Sequence, residues 1–157
     1  MKFMHPVAIK PFLKRYLAHY CLVDPHFELT EKNRFGSYLI NCLRFKTQVT
    51  PDPFEYSIGS NGVRLMVGIP EYYERNFGVI ISKRNQFRFN QFLLDEFHDR
   101  MVDYVYPKLT GRKGEIKMAL LNFREKYSIS EDELPYKTIE KMYERERYRA
   151  TAYMSIA

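Results

Sequence analysis

Apolar and polar positions alternate along this chain with two different periods, and the change of period marks its elements. After an extended lead-in over residues 1–10, interrupted by Pro6, Pro11 suits the first turn of a helix, where its missing N–H costs nothing. Phe12, Leu13, Tyr16, Leu17 and Tyr20 follow at helical spacing, with Lys14, Arg15 and His19 outside the stripe. Asp24-Pro25 is expected to close that helix. Thr30 or Asn33 can cap a second one, whose buried side is Phe35, Tyr38, Leu39, Cys42 and Leu43. The two prolines of TQVTPDP (47–53) predict a loop. The period then becomes two. Phe54, Tyr56 and Ile58 alternate, Gly-Ser-Asn-Gly (59–62) supplies a tight turn, and Val63, Leu65, Val67 and Ile69 alternate again, predicting a β-hairpin. GVII (78–81) is the expected third strand, since a lone hairpin is unstable.

Helical periodicity returns afterwards. PEYYERN (70–76) predicts one or two turns, and Ser82 can cap a long helix reaching about Tyr106. Phe89, Phe92, Leu93, Phe97, Met101, Tyr104 and Val105 are its inward side; Arg88, Gln91, Asp95, His98 and Asp99 are read as facing away. Pro107 and the linker 110–114 end it. Ile116, Ala119, Leu120, Phe123 and Tyr127 then mark a packed helix, followed across an acidic turn by a second carrying Lys137, Lys141, Arg145 and Arg149 every four positions. The expected fold is α+β and mainly helical: a small antiparallel hairpin or three-stranded meander packed on helices, with a C-terminal helical pair. The expected division is a mixed body (1–108), the pair (112–150) and a tail (151–157).

Composition sharpens the question of partners. At 157 residues the chain can bury a core without staples. Its 13 Tyr and 12 Phe are assigned to core and boundary packing, and the formal net charge of +6 favours an anionic partner. That excess is spread: eight basic against five acidic groups over 1–60, seven against six over 61–110, ten against eight over 111–157. A nucleic acid would therefore meet a folded face, not a basic arm. Cys21 and Cys42 fall on apolar helix sides and read as buried thiols. MKFMHPVAIKPFLKRYL lacks a signal-peptide core, and no run approaches a membrane span, so a cytoplasmic protein without membrane contact is expected.

The sequence selects no catalytic or metal chemistry. His5, His19, His26 and His98 do not pair at ligand spacing, and Asp95, His98 and Asp99 in DEFHD read as a solvated polar face. GSNGVR (59–64) lacks the Walker lysine and reads as a hairpin turn. Cys21 and Cys42 have no base partner, and Glu28, Glu31, Asp52 and Glu55 show no pairing geometry. The expectation is a non-enzyme without cofactor or metal. Nucleic-acid contact draws on three features. One is the basic stripe of the last helix. Another is Arg112, Lys113 and Lys117 around the N-terminus of the helix before it, where free N–H groups favour phosphate. The third is KRNQFRFNQF (83–92), read mainly as the polar face of a helix with buried phenylalanines. Against the stripe stand Glu140, Glu144 and Glu146, which would offset its field.

FREKYSISEDELPYKTIEKMYERER (123–147) resembles the helix-turn-helix segments of small phage and mobile-element DNA-binding proteins, those of the Mor-like transcription activators among them. Lys126, Tyr127, Ile129 and Ser130 match the family's turn. Ser128 replaces its usual Gly, Arg124 replaces a small residue between the helices, and Glu131, Asp132, Glu133 and Pro135 lengthen the connection with charge that would repel phosphate. The resemblance implies a DNA-binding regulatory or accessory protein, with double-stranded DNA as the ligand and Lys137, Thr138, Lys141 and Arg145 facing a groove; a homodimer would suit a two-fold site. The alternative is an assembly subunit that docks a partner protein on Tyr136, Met142, Tyr143, Tyr148, Tyr153 and Met154.

Overall fold

The computed structural model describes residues 3–54 and 62–156, with side chains as far as Arg149. The chain is α+β and mainly helical, with a small mixed sheet. Strand β1 (Phe3–Ile9) is followed by α1 (Pro11–Tyr20), β2 (Phe27–Glu28) and α2 (Arg34–Cys42). Then come β3 (Val63–Ile69), α3 (Glu71–Phe77), α4 (Lys83–Val105), α5 (Glu115–Lys126) and α6 (Tyr136–Ile156). Two compact units are formed, Met1–Phe92 and Leu93–Ala157, and the boundary falls within α4.

In the first unit the strand order is β1-β3-β2. β3 is central: it pairs antiparallel with β1, Val7 opposite Leu65, and parallel with β2, Phe27 opposite Val67. This corrects the expectation of an antiparallel meander. The alternation over 63–69 does mark a strand, with Leu65, Val67 and Ile69 fully buried. Its antiparallel partner, however, is the N-terminal lead-in, not GVII. Of the first arm and turn expected for the hairpin (54–62), residues 55–61 lie outside the described residues. GVII contributes only an isolated bridge, Ile80 with Arg44. That bridge depends on Gly78, which sits at φ 97°; a Cβ there would meet the Arg44 carbonyl at 2.2 Å.

Pro6 lies inside β1, where its missing N–H is harmless because it faces the outer edge. The orientation follows from Ala8, two residues on. Its N–H donates to Gln86 Oε1 at 3.1 Å and its carbonyl accepts from Asn90 Nδ2 at 2.8 Å. Asn90 Oδ1 also accepts the Lys10 N–H at 3.3 Å. Asn90 is 3% exposed. Of the amides of KRNQFRFNQF, Gln86 and Asn90 are therefore turned inward to hold the edge of β1, while Gln91 is exposed.

Helix ends follow local chemistry. Asn33 Oδ1 accepts the Gly36 N–H at 2.7 Å, so Asn33 and not Thr30 caps α2. Ser82 Oγ accepts the Asn85 N–H at 3.1 Å and caps α4, as its sequence predicts. α1 ends at Tyr20, short of Asp24-Pro25. Aromatic rings fill each unit. Tyr38 stacks on Phe92 at 4.6 Å in the first; Phe97, Phe123 and Tyr127 cluster in the second, with Phe97–Phe123 centroids 5.2 Å apart. Among the described residues no helix is long and apolar enough to cross a membrane.

Candidate nucleic-acid interface

The second unit holds the cations of the last two helices; those of KRNQFRFNQF fall in the first. Ala119, Leu120, Phe123 and Tyr127 of α5 are buried, as are Ile139 and Tyr143 of α6. The chain between the two helices is tightly organised. Ser128 adopts φ 56°, the left-handed conformation that glycine enters at no cost. Its N–H donates to the Glu125 carbonyl at 2.9 Å, and the Ile129 N–H donates to the Arg124 carbonyl at 3.2 Å. This pair of bonds is a Schellman stop, with serine in the glycine position. Ser130 and Glu133 then form a capping box: Ser130 Oγ accepts the Glu133 N–H at 3.2 Å, and Glu133 Oε1 accepts the Ser130 N–H at 3.1 Å.

The acidic connection is largely consumed by the fold. The Arg124 guanidinium donates to Glu131 and, at 3.0 Å, to the Leu134 carbonyl. Glu131 also accepts the Tyr136 N–H at 3.1 Å, which caps the start of α6. The Arg124 bond, followed by that amide, holds the Glu131 carboxyl below its ordinary value. The field expected to repel phosphate is therefore reduced: Glu131 is paired, Glu133 is a cap, and Asp132 alone has neither role in the bonds described. Arg124 does not leave the helices apart, as a large residue in a small-residue position would suggest; it ties them together.

On α6, Lys137, Thr138, Lys141, Arg145, Arg147 and Arg149 are all exposed. Two of the three acids are drawn off that face, and Glu144 stays on it. Glu140 is half-buried and accepts the Tyr136 hydroxyl at 2.6 Å; burial first, and this bond second, push the tyrosine up to about 12. Glu146 is only 15% exposed and lies 3.3 Å from His98 Nδ1 on α4. Of the three, only Glu144 is exposed. Arg149 bends toward the flank, 3.5 Å from Glu146.

One other expectation is corrected. His98 is not solvated: its side chain is 16% exposed, and its Nε2 is buried without a partner among the described residues. Burial lowers its pKa, opposed by Glu146 and Asp95. Among the described residues no group of His, Cys, Asp and Glu is placed to hold a metal ion. At the start of α5, the Glu115 carboxylate takes the Thr110 N–H and the Gly111 N–H, each at 2.7 Å, and the Thr110 hydroxyl at 2.8 Å. Those two amides belong to the linker ahead of α5 and not to its first turn, which begins at Glu115. Arg112, Lys113 and Lys117 remain exposed cations, and Lys117 Nζ lies 5.3 Å from the Tyr136 ring at the start of α6. Asp52 is bound by an arginine and not by a second carboxylate: Arg84 reaches it through two nitrogens at 2.7 and 3.0 Å, holding the carboxyl at about 2. Arg84 is therefore engaged, and KRNQFRFNQF offers Lys83 and Arg88 as its exposed cations.

The protein-docking alternative loses one of its six anchors, because Tyr143 is 1% exposed. Tyr136 and Met142 are half-buried, Tyr148 is exposed, and the side chains of Tyr153 and Met154 lie outside those described. The arrangement offers an exposed cationic helix face and no described nucleophile–base pair. No family model, curated protein or solved structure matches this chain.

Proposed function

We propose that this chain is a non-catalytic DNA-binding protein, regulatory or accessory in role, of the phage or mobile-element kind that its C-terminal segment resembles, and that it acts in the cytoplasm. One observation carries the reading: Lys137, Lys141 and Arg145 lie on the exposed side of α6, while Glu140 and Glu146 are drawn to its flanks. A cation-rich face cleared of most of its acids attracts phosphate at long range and releases counterions on contact. Ser128 supports the helix-turn-helix resemblance, since it adopts the backbone that the family's glycine favours. Thr138 sits beside the stripe as a group for a base edge or phosphate; Arg112, Lys113 and Lys117 supply further charge, and Arg149 a weaker contribution because Glu146 shares it.

The test is fluorescence anisotropy with labelled duplex and single-stranded DNA at two salt concentrations. Binding should weaken steeply with salt, by roughly 0.9 log units of affinity per log unit of salt for each duplex phosphate contacted. The Lys137→Glu/Lys141→Glu/Arg145→Glu variant should lose at least about a hundredfold at low salt. A folded wild-type chain that binds neither probe at low salt sinks the reading and favours a protein partner.

A further inference from the structure

Tyr148 is 80% exposed, among the most open of the described large apolar side chains. Burying an aromatic ring is favourable, so a ring left this open on a packed unit is a candidate for a ligand. Its position is specific. At 100° per residue, Tyr148 falls about 20° from Lys141 around the α6 axis, while Arg145 lies about 40° to the other side. Lys137 also falls within about 40° of Lys141. The ring therefore stands within the cationic face, two turns beyond Lys141 and one beyond Arg145. All four side chains are exposed, and so is Glu144, about 40° from Tyr148 and one turn before it.

From this juxtaposition we infer that Tyr148 stacks on an unpaired base, so that α6 prefers DNA carrying single-stranded positions over a fully paired duplex. The inference rests on the DNA-binding reading above and deepens it. Lysine and arginine on either side hold the phosphates; the ring supplies a flat apolar surface. A paired, stacked base presents only its edge to a side chain, whereas an unpaired base presents a face that every sequence shares. Phosphate contact alone does not require an exposed ring in line with the cations.

The chain contains no Trp, so Tyr148→Trp places a single reporter at the site. The full-length variant is titrated with oligothymidylate, with an abasic phosphodiester strand of equal length and with a hairpin duplex. Anisotropy follows binding, and indole emission follows stacking. Quenching by oligothymidylate but not by the abasic strand is expected. In the otherwise wild-type chain, Tyr148→Ala should weaken oligothymidylate binding roughly ten- to a hundredfold and leave abasic binding unchanged. Salt-sensitive binding with no quenching, and with Tyr148→Ala equal to wild type, overturns the inference while the DNA-binding reading stands. A duplex bound more tightly than the single strand also overturns it. Failure to bind any of the three probes at low salt removes both.

Discussion

Ser128 holds a left-handed backbone, φ 56°, that costs an L-residue about 1–2 kcal/mol and glycine almost nothing. Ser128→Gly gives part of this back as greater freedom of the unfolded chain, so a net gain of about 0.5–1 kcal/mol is expected, read as a higher urea midpoint at unchanged slope. A lower midpoint would mean that the serine side chain contributes more than the backbone loses. At this scale the sequence was partly legible. Spacing alone placed Lys137, Lys141 and Arg145 on one side of a helix, and matching the family's turn drew attention to position 128. What spacing could not supply was the fate of the acids. Glu140 and Glu146 sit among the cations in sequence, but where each carboxylate goes depends on what packs beside it. For Glu146 that is His98, on another helix far upstream.

At the scale of elements, the contact between α4 and α6 in the second unit is sensitive to pH. His98 there faces Glu146, Asp95, Arg149 and Asp99, and burial lowers its pKa more than the acids raise it. In the unfolded chain the imidazole takes a proton near its ordinary value of about 6.5, before the folded chain does. The contribution of His98 to stability is thus fully present above about pH 6.5 and is lost as pH falls through the folded value. Urea midpoints at pH 7.5 and 5.5 should show a loss on acidification that His98→Gln reduces. Part will remain, because burial also lowers the pKa of His5 in the first unit. An equal loss in the variant would show that His98 does not supply the effect. Helices were the readable elements, since their period is written locally and their caps are single residues. The sheet was not. β3 announced itself by alternation, but nothing near it named β1 as its partner across more than fifty residues, and a two-residue strand such as β2 leaves no pattern to find.

For the molecule as a whole the question is whether charge acts by amount or by place. Reversing Lys137, Lys141 and Arg145 to Glu brings the formal net charge from +6 to zero. Reversing the exposed Lys32, Lys46 and Arg64 of the first unit changes it equally. Affinity for DNA should collapse with the first set and fall by less than about tenfold with the second, since a charge that touches no phosphate acts only through a field that salt screens. Equal losses would assign binding to the net field and remove the special standing of α6.

The guarded margin of β1 sets a limit on how copies of this chain meet one another. An open strand edge is a template on which a second molecule can add its own strand, and repeated addition leads to fibrils. Here Pro6 removes one donor, while Gln86 and Asn90 take the groups of Ala8 and Lys10. With β2 only two residues long on the far side, the described sheet offers little to extend from either margin. Crowding should therefore drive this protein toward reversible association through helical surfaces, and a concentrated solution should stay clear of thioflavin-positive material for as long as Asn90 is in place.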